Sequence, residues 1–595
     1  MIQRKQHDSI IESYERLLQK LKIDKKSTTS KISQIIGQSL YTFCSEHKNP
    51  AIWCLGRHTD MLMTDYISEM RKVKIIIDSS PNHSVRSGFK IITPDQIEKN
   101  MIDGIIISSY VYKDEIKEEL SLSHKAVDYL DIYEKLDANG INLKASYFSE
   151  SHPHSKYETI NELQILYKNS LIKNDQIECL KKIIKQYILI KDFQTAIKYA
   201  EQLTRLTENI SSRTLLDEIR NLYKLEKEQI SKINSENVLM LCVDGLRRQD
   251  LIGGKMPKLL NWINKKAYFF DNAYSSSTST YESLIPVYSS NHDMKTQYYD
   301  RNQISEKECA FIKEACKQNR NIFFYTDGAQ YIDSKKIKFI GHSQTITEKI
   351  WDFMKDSIGE SNGLFYLHIL YESHYSYANP YTENSLIADG SNIMFDFLDS
   401  KGGKLRTDYV KQQNDALRYI DNILIPFLEQ ITCRIVLYAD HGNILMKKTE
   451  TLKQLDRLKY SCHKDLIEIP LAIKCPELQP QRNHHLISLM ELNKIIISLL
   501  KKDGYNYLGQ KYIKVQRSRI YNPDFQYLYK YYGKERELQA FELFIFNNGV
   551  QLIIYEDGEW KIISNELNLE IDAFSLYQSV LPDITVCQKN NLLLN

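Results

Sequence analysis

Two segments of the chain end in side chains that could hold a divalent cation. NVLMLCVDGLRRQDL (237–251) carries an apolar run that stops at Asp244, and TCRIVLYADHGN (432–443) carries one that stops at Asp440 and His441. Each run predicts a buried strand, and the carboxyl ends of strands in an open α/β sheet form its ligand crevice. Two carboxylates and an imidazole suit Zn²⁺ or Mn²⁺. These residues are therefore predicted metal ligands.

A third segment, SSSTSTYES (275–283), could supply a nucleophile. It precedes the apolar run LIPVY, which predicts a helix start. A helix amino terminus offers unpaired N–H groups and a positive dipole end, so it favours a phosphate or alkoxide. A bound cation can activate a threonine hydroxyl, here that of Thr278 or Thr280. The alternative is a simple N-cap, and the metal-ligand candidates favour the nucleophile.

Composition sets the frame for these residues. The chain has 595 residues, 42% of them hydrophobic and 26% charged, which predicts a globular protein of several domains. Its formal net charge of +2 disfavours a nucleic-acid partner. We find no signal-peptide core and no apolar run of about 18 residues, so we expect a cytoplasmic protein without a membrane span. The scattered cysteines predict reduced, buried thiols.

The sequence pattern divides the chain into five parts. They are a helical segment (1–48), a small Rossmann-like α/β domain (49–150), a tetratricopeptide-like helical connector (156–232), an α/β catalytic part (236–505) and a β-rich end (506–595). In the second part, Gly56 and Asp78 have nearly the spacing of a dinucleotide site. The other glycines of that motif are missing, so we favour a scaffold or regulatory ligand domain.

The motifs of the catalytic part resemble the alkaline phosphatase and sulfatase superfamily, especially its phosphoethanolamine- and phosphoglycerol-transferase branches. Five pieces carry the resemblance in the family's order: VLMLCVDGLR, MPKLLNWINKKAYFFDNAYSSSTSTYES, FYLHILYESHYSYANPY, VLYADHGN and SCHKDLIEIPLAI. The resemblance implies an α/β fold with an alkaline-phosphatase-like three-layer α/β/α core and a small C-terminal antiparallel sheet. The Rossmann-like domain similarly resembles domains appended to bacterial glycan-biosynthesis proteins.

The resemblance also implies roles for single residues. The FDNAY register puts Thr280 at the nucleophile position and among the metal ligands, whereas a T-x-T register would select Thr278. His374 matches a family histidine that contacts the transferred group or protonates the leaving oxygen. His463 matches a later histidine near the phosphate. We interpret His368, on the run FYLHILY, as a packed core residue.

The chain departs from the family in three ways. It lacks the C/S-x-P-S-R sequence of sulfatases, which argues against sulfate-ester cleavage. It has one acidic residue at Asp244 where sulfatases have two, which points to a single metal ion. It also lacks the amino-terminal helical bundle of the membrane-embedded transferases, so the resemblance does not extend to a lipid donor.

These observations lead to one preferred function and two alternatives. We expect a metal-dependent phosphotransferase that moves a phosphoethanolamine or phosphoglycerol group to or from a surface-glycan precursor. A phosphodiesterase or phosphatase is the first alternative, and a non-catalytic interaction protein is the second. The expected partners are a glycan precursor and a phosphoester donor. The oligomeric state and a peripheral membrane association stay open.

Overall fold

The architecture comes from a computed structural model of the chain. It describes residues 2–21, 31–54, 58–59, 62–63, 66, 69–79, 85–86, 89–110, 112–124, 126–140, 154–291, 304–326, 331–340, 344–374, 377–381, 403–443, 462–517, 540–564 and 572–586. Within these residues, no helix combines the length and the apolar character that crossing a membrane requires. No disulfide joins their cysteines.

The first two helices belong to different cores. Helix α1 (Ile2–Lys20) places Tyr14 and Leu17 in the main core of the protein, whereas α2 (Lys31–Glu46) places Ile36 and Leu40 in a separate amino-terminal core. The sequence alone suggested one helical segment over 1–48. The structure shows two helices there, and the apolar face of α1 packs in the main core while that of α2 packs in the amino-terminal core.

The amino-terminal domain is a six-stranded sheet with order β3-β4-β2-β1-β5-β6, parallel except for β3. The strands are β1 (Pro50–Trp53), β2 (Ile75–Ile77), β3 (Val85–Arg86), β4 (Phe89–Ile92), β5 (Gly104–Ile107) and β6 (Asp128–Asp131), and the later helices are α3 (Lys113–Ser123) and α4 (Ile132–Asp137). The strands β1, β2 and β5 coincide with the apolar runs AIWCLG (51–56), VKIIID (73–78) and DGIIISS (103–109). Gly56, one of the two residues that have nearly the spacing of a dinucleotide site, lies outside the described residues.

Four successive antiparallel helices follow, in the place of the predicted connector. They are α5 (His154–Asn169), α6 (Lys173–Leu189), α7 (Phe193–Thr207) and α8 (Ile210–Ile230). Asp192 caps α7 by accepting the Thr195 N–H at 2.9 Å, and Asn209 caps α8 in the same way. Their buried residues form one core with those of the catalytic part. This segment is therefore packed onto the catalytic part as part of one body.

A nine-stranded sheet lies at the centre of the catalytic part. Its order is β12-β10-β13-β7-β14-β15-β8-β16, with β17 also paired to β8. The members are β7 (Val238–Val243), β8 (Tyr268–Tyr274), β10 (Asn321–Tyr325), β12 (Ile337–Ile340), β13 (Gly363–Ile369), β14 (Arg434–Tyr438), β15 (Glu468–Lys474), β16 (Gln481–Asn483) and β17 (Ile487–Ser488), while β9 (Ile304–Ser305) and β11 (Ile332–Asp333) pair separately. Only β15 runs against its neighbours.

Helices cover both faces of this sheet. They are α9 (Arg248–Ile252), α10 (Pro257–Lys266), α11 (Thr280–Ser289), α12 (Ala310–Lys317), α13 (Ile346–Ser357), α14 (Gly403–Gln430), α15 (Lys464–Ile467) and α16 (Leu492–Lys501). On β13, Phe365 contacts Phe353 of α13, while the next residue, Tyr366, contacts Tyr288 of α11. Successive strand residues point to opposite faces, so α11 and α13 lie on opposite sides. The predicted three-layer α/β/α core is confirmed.

The carboxyl-terminal part forms the predicted small antiparallel sheet. Its strands β18 (Tyr512–Arg517), β19 (Phe541–Phe546), β20 (Gln551–Tyr555) and β21 (Trp560–Ser564) pair in chain order, and α17 (Ala573–Val580) follows. Gly549 and Gly558 form the two turns with φ of +81° and +86°, which glycine adopts without strain. The Gln516 N–H donates to the Ser276 carbonyl at 2.9 Å, so this sheet contacts the serine-rich segment.

Candidate active site

The strand directions bring the predicted site residues to one edge of the central sheet. Strands β7 and β14 are parallel neighbours, so Asp244 and Asp440, which follow them, emerge side by side. Strand β8 runs in the same direction, since it and β14 both pair antiparallel with β15. Its carboxyl end therefore delivers the serine-rich segment and α11 to the same edge.

The serine-rich segment is a buried, hydrogen-bonded structure. The Oγ atoms of Ser275 and Ser283 donate to the Asp440 carbonyl oxygen at 2.5 and 2.7 Å. Ser277 Oγ donates to Glu282 Oε2 at 2.9 Å. These bonds tie the segment that precedes α11 to the turn that carries Asp440 and His441. A disordered linker would make no such contacts.

Of the two threonine candidates, the structure brings Thr280 to the cluster. Thr280 is the first residue of α11, and its Oγ1 donates to Asp244 Oδ2 at 3.0 Å and lies 3.1 Å from His441 Nε2. Thr278 is buried, and the described part of the chain gives it no side-chain hydrogen bond to this cluster. The geometry favours Thr280, and the catalytic role of either threonine stays a prediction.

His441 is held in one tautomer by its own turn. Its Nδ1 lies 2.5 Å from the Gly442 carbonyl oxygen, so Nδ1 carries the proton and Nε2 of the neutral ring is an acceptor. That Nε2 faces Thr280 and lies 3.5 Å from Asp440 Oδ2. His441 is therefore oriented to act as a metal ligand or as a proton acceptor.

His368 is a candidate ligand that the sequence interpretation missed. It is buried, but its Nε2 lies 3.0 Å from Asp244 Oδ2. Asp244, His368 and Asp440 each offer a ligand atom, and these atoms lie within 4.8 Å of one another. A polar ring on a buried strand needs a polar partner, and His368 lies one residue before the carboxyl end of β13. This need for a polar partner could have identified His368 from the sequence, because the predicted metal ligands Asp244 and Asp440 also lie at strand ends.

The electrostatics of the cluster follow from burial and mutual charge. Burial raises the pKa of Asp440, and the negative charge of Asp244 raises it further. Burial also opposes ionisation of Asp244, yet the hydrogen bond from His368 and the charges of His374 and His441 hold its pKa below the ordinary value. Burial disfavours the charged ring of His441, but both aspartates outweigh it and raise its pKa. A cluster of this kind favours an added positive charge.

The donor set fits a divalent cation. Asp244 Oδ1 and Asp440 Oδ2 are buried, and within the described residues neither has a hydrogen-bond partner. Buried carboxylate oxygens without hydrogen bonds are costly unless they coordinate a metal. Two carboxylates with His368, His441 and the Thr280 hydroxyl offer the oxygen and imidazole ligands of Zn²⁺ or Mn²⁺.

The two remaining histidines take different positions. His374 lies in the turn after β13, where its backbone N–H donates to the Leu370 carbonyl at 2.8 Å. Its charge lowers the pKa of Asp244. His463 is the N-cap of α15, and its Nδ1 accepts the Asp465 N–H at 3.2 Å. A proton-transfer role for His463 would therefore fall to its Nε2. Both roles stay predictions.

Comparisons with known proteins find one family model and a set of solved structures. A family model described as C2185-like, N-terminal, matches residues 46–126, within the amino-terminal domain. No curated protein sequence matches the chain significantly. Solved structures found by fold comparison include the following three proteins.

The phosphonate monoester hydrolase SpPMH from Silicibacter pomeroyi is 13% identical, with a TM-score of 0.42, over 60% of this chain and 94% of that one. A protein in the alkaline phosphatase superfamily from Vibrio parahaemolyticus is 12% identical, with a TM-score of 0.35, over 58% and 84%. The lipoteichoic acid synthase LtaP from Listeria monocytogenes is 14% identical, with a TM-score of 0.35, over 57% and 89%.

Proposed function

We propose that the protein is a metal-dependent phosphotransferase in which Thr280 is the nucleophile. One observation carries the proposal: Thr280 is the first residue of a helix, and its hydroxyl lies within hydrogen-bond distance of both Asp244 and His441. A nucleophilic hydroxyl needs a neighbouring base or cation to become reactive, and this position lies among the predicted ligands of a cation. The first N–H groups of α11 favour a bound phosphate beside the hydroxyl.

The first half-reaction forms a phosphothreonine. A divalent cation bound by the two aspartates, His368 and His441 would neutralise phosphate charge and lower the pKa of the Thr280 hydroxyl. Thr280 Oγ1 attacks phosphorus in line as the bond to the leaving alcohol oxygen breaks. The hydroxyl proton passes to solvent, because the depressed pKa of Asp244 makes its carboxylate a weak base. His374 or His463 donates a proton to the leaving oxygen.

The second half-reaction returns the enzyme to its starting state. An acceptor hydroxyl attacks the phosphothreonine and forms a new phosphoester, and its proton goes to the histidine that protonated the leaving group. Thr280 leaves as the free hydroxyl by taking a proton from solvent. With water as the acceptor, the same steps would make the protein a phosphodiesterase or phosphatase.

For the substrate we propose a phosphoethanolamine or phosphoglycerol donor and a surface-glycan precursor as the acceptor. The support is the resemblance of the motifs around Asp244, Thr280 and His441 to those transferase branches, with an α/β domain preceding the catalytic part. A fold by itself does not fix a substrate. The cytoplasmic location expected from the sequence is likewise a proposal, which fractionation of the producing cells would test.

Intact-mass spectrometry of the full chain tests the nucleophile. The wild type, Thr280→Ala and the matched control Thr278→Ala are incubated with phosphoethanolamine and phosphoglycerol diesters, with Mn²⁺, with Zn²⁺ or without added metal. We expect a metal-dependent adduct on the wild type and on Thr278→Ala, absent from Thr280→Ala, whose mass identifies the transferred group. Discharge of the adduct by glycan precursors but not by water would support transfer.

Three results would contradict the proposal. An adduct lost only in Thr278→Ala would assign the nucleophile to the other threonine. Rapid discharge of the adduct by water in the presence of glycan precursors would make the protein a hydrolase. A wild type that forms no adduct with any donor and binds no metal would favour the interaction protein instead.

A further inference from the structure

A buried hydroxyl of the four-helix connector reaches the active-site turn. Tyr157 of α5 is 1% exposed, and its Oη donates to Glu372 Oε1 at 2.6 Å across 215 positions of sequence. Glu372 is also buried, two residues before His374. Burial raises the pKa of Glu372, and leaving this buried carboxyl without a partner would be costly. This contact therefore couples two parts of the chain that the sequence separates.

Glu372 fixes the turn from both sides. The same Oε1 accepts the Ile346 N–H at 2.8 Å, so Glu372 binds the amino terminus of α13 as well as α5. In the turn, the Ser373 and His374 N–H groups donate to the Leu370 carbonyl at 3.2 and 2.8 Å. The carboxylate thus holds the turn from which the His374 ring projects.

The turn also lies against the metal-ligand candidates. The Ser373 carbonyl oxygen lies 3.6 Å from the point where a Cβ on Gly245 would stand, next to Asp244. Displacement of this turn would therefore move His374 relative to Asp244. Buried contacts of this kind hold reacting groups in place.

Helix α5 carries two more contacts that keep Tyr157 in place. Lys156 pairs with Glu348 of α13 at 2.6 Å, and Asn161 Nδ2 donates to the Asn379 carbonyl at 3.3 Å. The Tyr157 ring packs edge-on against Tyr419 of α14 with ring centroids 5.9 Å apart. The hydroxyl therefore approaches Glu372 from a fixed direction.

We propose that Tyr157 is a positioning residue for His374, so that the connector helices are a working part of the active site. The inference rests on the proposed function, because it concerns the histidine assigned to proton transfer there. Tyr157 acts through Glu372 and the turn and does not touch the reacting atoms. Loss of its hydroxyl alone would keep the aromatic ring and remove one of the hydrogen bonds that Glu372 Oε1 accepts.

The test is Tyr157→Phe in the full chain, beside Tyr187→Phe as the matched control. Tyr187 is equally buried in the connector, and its Oη accepts a hydrogen bond from Gln164 at 3.0 Å, away from the turn. The first readout is NMR of labelled histidine rings, with the His374 signal assigned from His374→Gln. We expect Tyr157→Phe to shift the His374 signal and Tyr187→Phe to leave it in place. This readout needs no turnover.

The second readout is hydrolysis of bis(p-nitrophenyl) phosphate with Mn²⁺. We expect Tyr157→Phe to lower kcat roughly 10- to 100-fold with little change in KM, the range typical for loss of a supporting contact. Tyr187→Phe should match the wild type. If the wild type does not turn over this probe, the proposed function loses support, and the His374 signal still decides the positioning role.

An unchanged His374 signal in a folded Tyr157→Phe would overturn the inference. If that variant does not fold, Glu372→Gln tests the same link, because it replaces the carboxyl group that accepts the hydrogen bond from Tyr157. We then expect a shifted His374 signal, and an unchanged one would again overturn the inference. Equal loss of kcat in Tyr157→Phe and Tyr187→Phe would also overturn it, because the effect would then be general destabilisation.

Discussion

A buried acid in the connector should make the stability of the protein depend on pH. Glu226 of α8 is 7% exposed, and burial together with the nearby negative charge of Asp192 raises its pKa to about 8. Lys227 offsets only part of this effect. The folded protein therefore keeps Glu226 protonated at neutral pH. The unfolded chain releases that proton above about pH 4.5.

The direction and size of the effect follow from this difference in pKa. Between about pH 4.5 and pH 8 the unfolded state has lost the proton and the folded state has not, so stability falls as pH rises. Each pH unit corresponds to about 1.4 kcal/mol. The cost is about 3 kcal/mol at pH 7 and reaches about 5 kcal/mol above pH 8. Glu226→Gln keeps the size of the side chain and removes this cost.

Urea unfolding followed by circular dichroism at pH 5 and pH 8.5 measures the difference. We expect Glu226→Gln to match the wild type within about 1 kcal/mol at pH 5 and to be more stable by up to about 5 kcal/mol at pH 8.5. The control is Glu228→Gln, on the same helix and 46% exposed, which should show no such trend. The reasoning would be refuted by a stability difference that is the same at both pH values.

Two further substitutions test the metal centre. In Gly442→Ala the new Cβ would lie 2.0 Å from the Asp465 carbonyl oxygen, so the turn must move, and we expect calorimetry to show Zn²⁺ and Mn²⁺ affinity at least roughly tenfold weaker. An unaltered metal affinity would mean that the turn accommodates the methyl group without displacing the ligands. In His368→Gln, loss of the contact with Asp244 should weaken metal binding roughly 10- to 100-fold. If His368→Gln binds the metal as tightly as the wild type, His368 is a packed core residue and not a ligand.

The sequence by itself determined which segments form strands and where chemistry could occur. Continuous apolar runs that stop at Asp244 and Asp440 predict buried strands with polar ends, because a buried carboxylate is tolerated only where it finds a partner. The Asn-Asn-Gly and Asp-Gly turns predict the carboxyl-terminal hairpins, because glycine there adopts a positive φ. These features are local, so a few neighbouring residues specify them.

Only the tertiary structure decided which side chains meet. The order of the strands sets β13 beside β7, which turns His368 from a residue of an apolar run into a neighbour of Asp244. The start of α11 places the Thr280 hydroxyl within hydrogen-bond distance of Asp244 and His441, a contact that the sequence alone did not show. The contact of Tyr157 with the active-site turn spans more than 200 positions. Periodicity specifies the face that a residue occupies within its own element, whereas its partners depend on how distant elements pack.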